Sequence, residues 1–408
     1  MIPMQTNLQE DEILKNVVTL CGIAKIKSVR PCEPFDDKVL EYLSAVSKHL
    51  LALSDAKSYP DVMTFAFFCR KANLMLLKEK YKGTGYRMGR GLVFHIAPSN
   101  VPVNFAYSLV AALLAGNVSV VKASSKDFPQ VRIICNTLAE VLCDFAEMES
   151  LINVVMYDRD DQKVTEYYST FANVRVIWGG DRTIDSVRRA KLPPRSYDIT
   201  FADRYSIAVI SAVSVLEIED DVKALTKLAQ DFYNDTYLSD QNACSSPRLV
   251  YWVGTDQDIV IAKKIFWNVI YDNIKDNYPI EPVIAVNKLT AAEKTAIDIT
   301  GSIVEKTVDN RIVRVAIPYL TEHVVDLRTP GGFFHEYAAE TIDALADIVD
   351  EKYQTLVYFG LDKENVANFV ISHGLRGIDR IVPVGHSMDF SLMWDGYDLI
   401  VAMSREIS

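Results

Sequence analysis

Several marks that assign a protein quickly are missing from this chain. Its six cysteines (Cys21, Cys32, Cys69, Cys135, Cys143 and Cys244) form no CxxC pair and no framework spacing. The six histidines are scattered, without HExxH or any Cys/His cluster at ligand distance, so no metal site is expected. Cationic excess is absent too: the net charge of −11 argues against nucleic acid or an anionic membrane as the main partner, while leaving room for a locally basic pocket for an anionic small ligand. The opening MIPMQTNLQEDEILKN lacks the basic and apolar regions of a signal peptide, and the expectation is a cytoplasmic protein with reduced thiols. Uninterrupted apolar runs are scarce. The stretch from Asn100 to Lys122 carries no charge between its ends, yet Pro102 and Gly116-Asn117 break it. A buried helix followed by a buried strand is expected there, not a membrane span.

What remains is an ordinary globular composition, 49% hydrophobic and 24% charged over 408 residues, enough for more than one domain. Residues 36–82 read as two helices, KVLEYLSAVSKHLLAL and DVMTFAFFCRKANLMLLKEKYK. From Gly91, short apolar runs (GLVFHIA, VSVVKAS, INVVMYD, VRVIWGG) alternate with helical patterns (NFAYSLVAALLA, FPQVRIICNTLAEVLCDFAE, QKVTEYYSTF). Such alternation predicts an α/β fold with a doubly wound parallel sheet. SIAVISAV is a further strand of the first lobe, and RLVYWVG, RIVRVAI, EHVVDL, QTLVYFGL and DRIVPVG continue as strands of a second α/β lobe. The expected division is a helical segment at 1–90, a Rossmann-type cofactor domain at 91–215, a catalytic domain at 216–380 and a C-terminal segment at 381–408.

Four places invite chemistry. DQNACSSPRLVYW sets Cys244 in a polar loop before a strand, an unusual place for a packing cysteine. HIAPSNVPVNF puts Asn100 in a strand-to-helix loop, as an oxyanion donor or as a helix cap. VVKASSKD ends a strand on Lys122, a ribose or phosphate ligand or a solvated strand end. Gly179-Gly180 turns a strand into a helix whose N-terminus can meet phosphate. The basic run Arg188, Arg189, Lys191 and Arg195 reads as a solvated face.

The order of these elements resembles the aldehyde dehydrogenase superfamily. Within it, DQNACSSP, VRVIWGGDRTI, DITFADRYSIAVI and GIDRIVPVGHSMDF are similar to the LuxC-type acyl-CoA reductases, from Gly91 onward. The resemblance implies that Cys244 is the nucleophile that takes an acyl group as a thioester. It implies that Asn100 holds the tetrahedral oxyanion with the Cys244 N–H, that Lys122 meets the adenosine ribose, and that Gly179 and Gly180 lie near the cofactor phosphates. Phe201 falls where ordinary aldehyde dehydrogenases carry the glutamate that activates water, which favours reduction of a thioester over oxidation of an aldehyde. Ser125 falls where NAD-preferring relatives carry a glutamate, which favours NADPH, with NADH as the alternative. No residue is assigned to the nicotinamide ribose, Glu336 included.

The expected activity is NADPH-dependent reduction of a fatty acyl-CoA, or of an acyl group on another carrier, to the aldehyde. A CoA-acylating dehydrogenase of a short aldehyde, an acyltransferase through Cys244 and a non-catalytic subunit are the alternatives. A homo-oligomer and an acyl-transferring partner protein are expected by resemblance alone.

Overall fold

A computed structural model describes residues 10–26 and 29–408. Residues 1–9, which open the stretch read above for a leader, lie outside these. The chain divides into two units, Met1–Ala202 with Leu392–Ser408, and Asp203–Ser391.

The first unit is built on a six-stranded sheet. Its strands are β1 (Val18–Cys21), β3 (Leu92–Ile96), β4 (Val118–Lys122), β5 (Ile152–Met156), β6 (Val174–Trp178) and β7 (Tyr197–Phe201), in the order β1-β5-β4-β3-β6-β7. A short β2 (Arg87–Gly89) pairs instead with Ser404–Glu406, tying the chain's last strand to this unit. β3 to β7 run parallel, and only β1 is antiparallel, to β5. All five residues of β3, β4 and β6 are buried, as Val- and Ile-rich strands covered on both faces must be. Phe94, Val120, Val155, Tyr168 and Ile177 form the core on one face. The uncharged stretch becomes the helix Asn104–Leu114 followed by β4, and Gly116 takes the left-handed turn between them at φ +85°. Among the described residues no helix is long and apolar enough to cross a membrane.

Strand order locates the crevice of this sheet. β3 has β4 on one side and β6 on the other, so the chain winds outward in both directions from β3. The gap beyond the carboxyl ends of β3 and β6 is the switch point where open α/β sheets take ligands.

The second unit has seven strands: β8 (Tyr205–Ser211), β9 (Pro247–Val253), β10 (Ile303–Val304), β11 (Val313–Ala316), β12 (Phe333–Ala339), β13 (Tyr353–Phe359) and β14 (Arg380–Pro383). They lie in the order β10-β11-β12-β9-β8-β13-β14, parallel except for β10. Phe232, Trp252, Phe266, Trp267 and Phe334 fill one face under the helices Val222–Asp235 and Asp256–Ile274. Tyr205, Ile207, Leu249, Leu356 and Phe369 fill the other.

Four sequence expectations change. The boundary lies at Ala202/Asp203, not at 215/216, because β8 pairs with β9 and β13. The second boundary lies at Ser391/Leu392, not at 380/381, since β14 pairs with β13. EHVVDL is a 3₁₀ turn at Glu322–Val325 started by the Thr321 side chain, not a strand. The second N-terminal helix is two, Pro60–Phe68 and Lys71–Lys80. Arg70 is extended between them, and the Asn73 side chain donates to the Phe68 carbonyl at 2.7 Å.

Candidate active site

In the second unit, Cys244 lies in a turn between Tyr237–Ser239 and β9, half-buried. The turn opens on two left-handed residues, Asp240 (φ 50°) and Gln241 (φ 54°), a costly conformation unless the surroundings hold it. Gln241 supplies that hold. Its Oε1 accepts from the Gly332 and Phe333 N–H groups at 2.7 and 3.1 Å, and its Nε2 donates to the Pro247 and Phe333 carbonyls at 3.1 and 3.3 Å. The buried Arg248 donates to the Gln241 carbonyl and, at 3.3 Å, to that of Thr329. From β8, Ser206 Oγ donates to the Cys244 carbonyl at 2.7 Å. The backbone around the thiol is thus fixed by side chains on three sides.

Charge reinforces the arrangement. Burial, then the neighbouring Arg328, push Arg248 down to about 10, while Tyr205, Cys244 and Asp203 hold it up. Arg248 therefore stays cationic at pH 7, and an ionised Cys244 sulfur has a buried cation within electrostatic reach. Elsewhere burial pushes Cys21 up to about 12 and Cys32 up to about 11, and it raises Cys69 and Cys135 as well. Those thiols are packing residues.

In the first unit, the other expected site residues gather at the carboxyl ends of β3, β4 and β6. Asn100 is exposed in the loop after β3. It does not cap the following helix, whose N-cap is Val103 without a side-chain bond, so the capping reading fails. Lys122 is no solvated strand end: only 9% exposed, its Nζ lies 4.9 Å over the Tyr157 ring. Burial lowers its affinity for a proton, and Asp158 opposes that effect. Ser125 is exposed, with no carboxylate in its place. Gly180 is the N-cap of Asp181–Arg188 at φ −64°, and a Cβ there would meet nothing within 4 Å. Neither its φ nor its packing demands a glycine, and the open space leaves room for close approach to the backbone there. Arg188 pairs with Asp198 at 3.3 Å on an exposed face, as the solvated reading had it.

Phe201 is buried and stacks on Trp178 with ring centroids 3.8 Å apart, while the Trp178 Nε1 donates to Ser108. An aromatic pair thus occupies the position the resemblance compares with a water-activating glutamate. Glu336, left unassigned above, is fully committed. Its Oε1 accepts from the Trp252 and Trp267 indoles at 2.9 and 2.8 Å, its Oε2 from Arg314 at 3.0 Å, and it is 1% exposed. That carboxylate is a core strut. Ser206, Gln241 and Arg248, which brace the Cys244 turn, are the residues the sequence reading missed. Two of them stand inside the DQNACSSPR motif itself, and that proximity was the available signal. Among the described residues no cluster of three or more His, Cys, Asp or Glu could hold a metal ion.

Comparison with known proteins bears on the fold and the family. Solved structures of similar fold include methylmalonate-semialdehyde dehydrogenase from Oceanimonas doudoroffii, with a TM-score of 0.62 and 14% identity over 92% of this chain and 87% of that one. Lactaldehyde dehydrogenase gives a TM-score of 0.63 and 12% identity over 91% and 86%. At such identities the likeness establishes the fold. Among curated proteins, a long-chain acyl-protein thioester reductase of Aliivibrio fischeri is 26% identical over 165 residues, 40% of this chain and 32% of its own length. That of Photobacterium phosphoreum is 29% identical over 177 residues, 42% and 33%. These matches span about a third of each curated relative. The family model described as Acyl-CoA reductase (LuxC) matches residues 72–406. The chain therefore belongs to the LuxC acyl-CoA reductase family, on an aldehyde dehydrogenase-like fold.

Proposed function

We propose that the protein reduces a fatty acyl thioester to the aldehyde through an acyl group carried on Cys244. The observation that carries this reading is the braced turn of Cys244, a half-buried thiol held by Gln241, Ser206 and a buried Arg248. In the proposed cycle the Cys244 sulfur attacks the substrate carbonyl, and a carbon–sulfur bond forms as the carrier thiolate leaves and takes up a proton. The Asn100 side-chain NH₂ and the Cys244 backbone N–H donate to the oxyanion at each tetrahedral stage. A reduced nicotinamide supplies the hydride when bound. Cys244 then leaves as thiolate from the hemithioacetal, releasing the aldehyde.

Three features support the cofactor assignment: a bare Gly180 beside the switch point, the buried cation Lys122 and the uncharged Ser125. The absence of a carboxylate at Ser125 favours NADPH over NADH, since nothing there repels a 2′-phosphate. The Trp178–Phe201 stack supports reduction over hydrolysis, because no base is offered to a water at that position. The acyl donor is a thioester on CoA or on a protein, and a homo-oligomer working beside an acyl-transferring partner completes the reading.

Intact mass after mixing with myristoyl-CoA, without nicotinamide, tests this directly. The wild type should gain one acyl group that neutral hydroxylamine removes, and Cys244→Ser should gain none. An unmodified wild type across acyl lengths would end the proposal. An adduct that NADPH does not turn into aldehyde would make the protein an acyltransferase.

A further inference from the structure

The helix that precedes the Cys244 turn, Val222–Asp235, ends on a fully buried carboxylate. Asp235 Oδ2 accepts from the Gly385 N–H at 2.6 Å, and its Oδ1 from the Ser387 N–H at 2.8 Å. The loop after β14 passes so close that a Cβ on Gly385 (φ +95°) would stand 2.8 Å from the Asp231 side chain. Its carbonyls are taken by one guanidinium: Arg380 donates to those of Ser387 at 2.7 Å, His386 at 3.2 Å and Asp389 at 2.8 Å. Two of the loop's N–H groups are thus held by an anion, and three of its C=O groups by a cation. Between these anchors, the Met388 sulfur accepts from the Ser245 hydroxyl at 3.5 Å, and Ser245 is the residue after Cys244.

We infer that Asp235 is a positioning residue: by fixing the 385–389 loop it sets Met388 against the Cys244 turn, and so shapes the space beside the nucleophile. The inference rests on the acyl-cysteine reading for its meaning, because that space is where an acyl chain would lie. A buried carboxylate is retained against its desolvation cost only with strong partners, and these are two main-chain donors of a remote loop. Burial pushes the Asp235 carboxyl up to about 6, and the Gly385 and Ser387 N–H groups oppose that rise.

The test uses the full chain and N-ethylmaleimide against N-hexylmaleimide, with modification of Cys244 followed by peptide mass. The exposed Cys143 is the internal reference. Asp235→Asn and Met388→Ala should each raise the long-to-short reactivity ratio at Cys244 by about threefold or more, and the double variant should add little to Met388→Ala. The ratio at Cys143 should stay at its wild-type value. Arg380→Lys, which loosens the same loop from its other face, should move the ratio in the same direction and serves if Asp235→Asn does not fold. A wild-type ratio in Asp235→Asn or, failing that, in Arg380→Lys, or equal changes at both cysteines, would overturn the inference. Octanoyl- and myristoyl-CoA adducts are measured in parallel. Moved ratios without any acyl adduct would end the acyl-cysteine reading and leave the loop's role standing. Adducts with unmoved ratios would end the positioning role alone.

Discussion

The two units treat their site residues in opposite ways. Around Cys244 almost every polar group is engaged: Gln241 makes four hydrogen bonds, Arg248 reaches two carbonyls and Ser206 holds a third. At the switch point of the first unit, Asn100 and Ser125 are exposed and Gly180 faces open space. On the proposed reading Cys244 is a nucleophile, which must keep one geometry while bonds change, so its supports are built into the fold. The proposed cofactor site must leave room for a ligand that comes and goes.

Substitutions can break or sharpen this contrast. The largest effect is expected at the centre of the braced unit, where Cys244→Ser should lower aldehyde formation by about 10⁴-fold or more, measured by trapping the aldehyde. Glu336→Gln should cost about 3 kcal/mol in denaturant unfolding, because it leaves Arg314 beside an uncharged partner, yet leave the KM for nicotinamide unchanged. A raised KM with unchanged stability would make Glu336 a ribose ligand instead. Asn100→Ala, on the open side, should lower kcat by about 10²-fold without shifting the melting temperature. The smallest effect belongs to Gly180→Ala, which should leave stability within about 0.5 kcal/mol and raise the nicotinamide KM several-fold. An unchanged KM would remove Gly180 from the cofactor site.

Strands such as VSVVK and VRVIW were legible because strands buried on both faces are written as continuous apolar runs. Gly116-Asn117 likewise announced the end of the helix before β4. The candidate nucleophile was legible as a thiol in the wrong company. Its supports were not: Arg248 and Gln241 find partners 81 and 91 residues away, and no local spacing encodes such contacts. The same holds for β8, readable as a strand but not as a member of the second sheet, since pairing is settled by long-range packing. EHVVDL misled because a short apolar run fits a strand or a turn equally well.

The proposed cycle requires a hydride to reach an acyl carbon while that carbon is bound to Cys244. The isolated acyl-protein, freed of CoA, should therefore be mixed with NADPH deuterated at the transferable C4 position, and the product examined by mass spectrometry. One deuterium at C1 of the aldehyde, with loss of the acyl group from Cys244 in the same single turnover, is the predicted result. Aldehyde without deuterium, or free fatty acid in its place, would contradict the account.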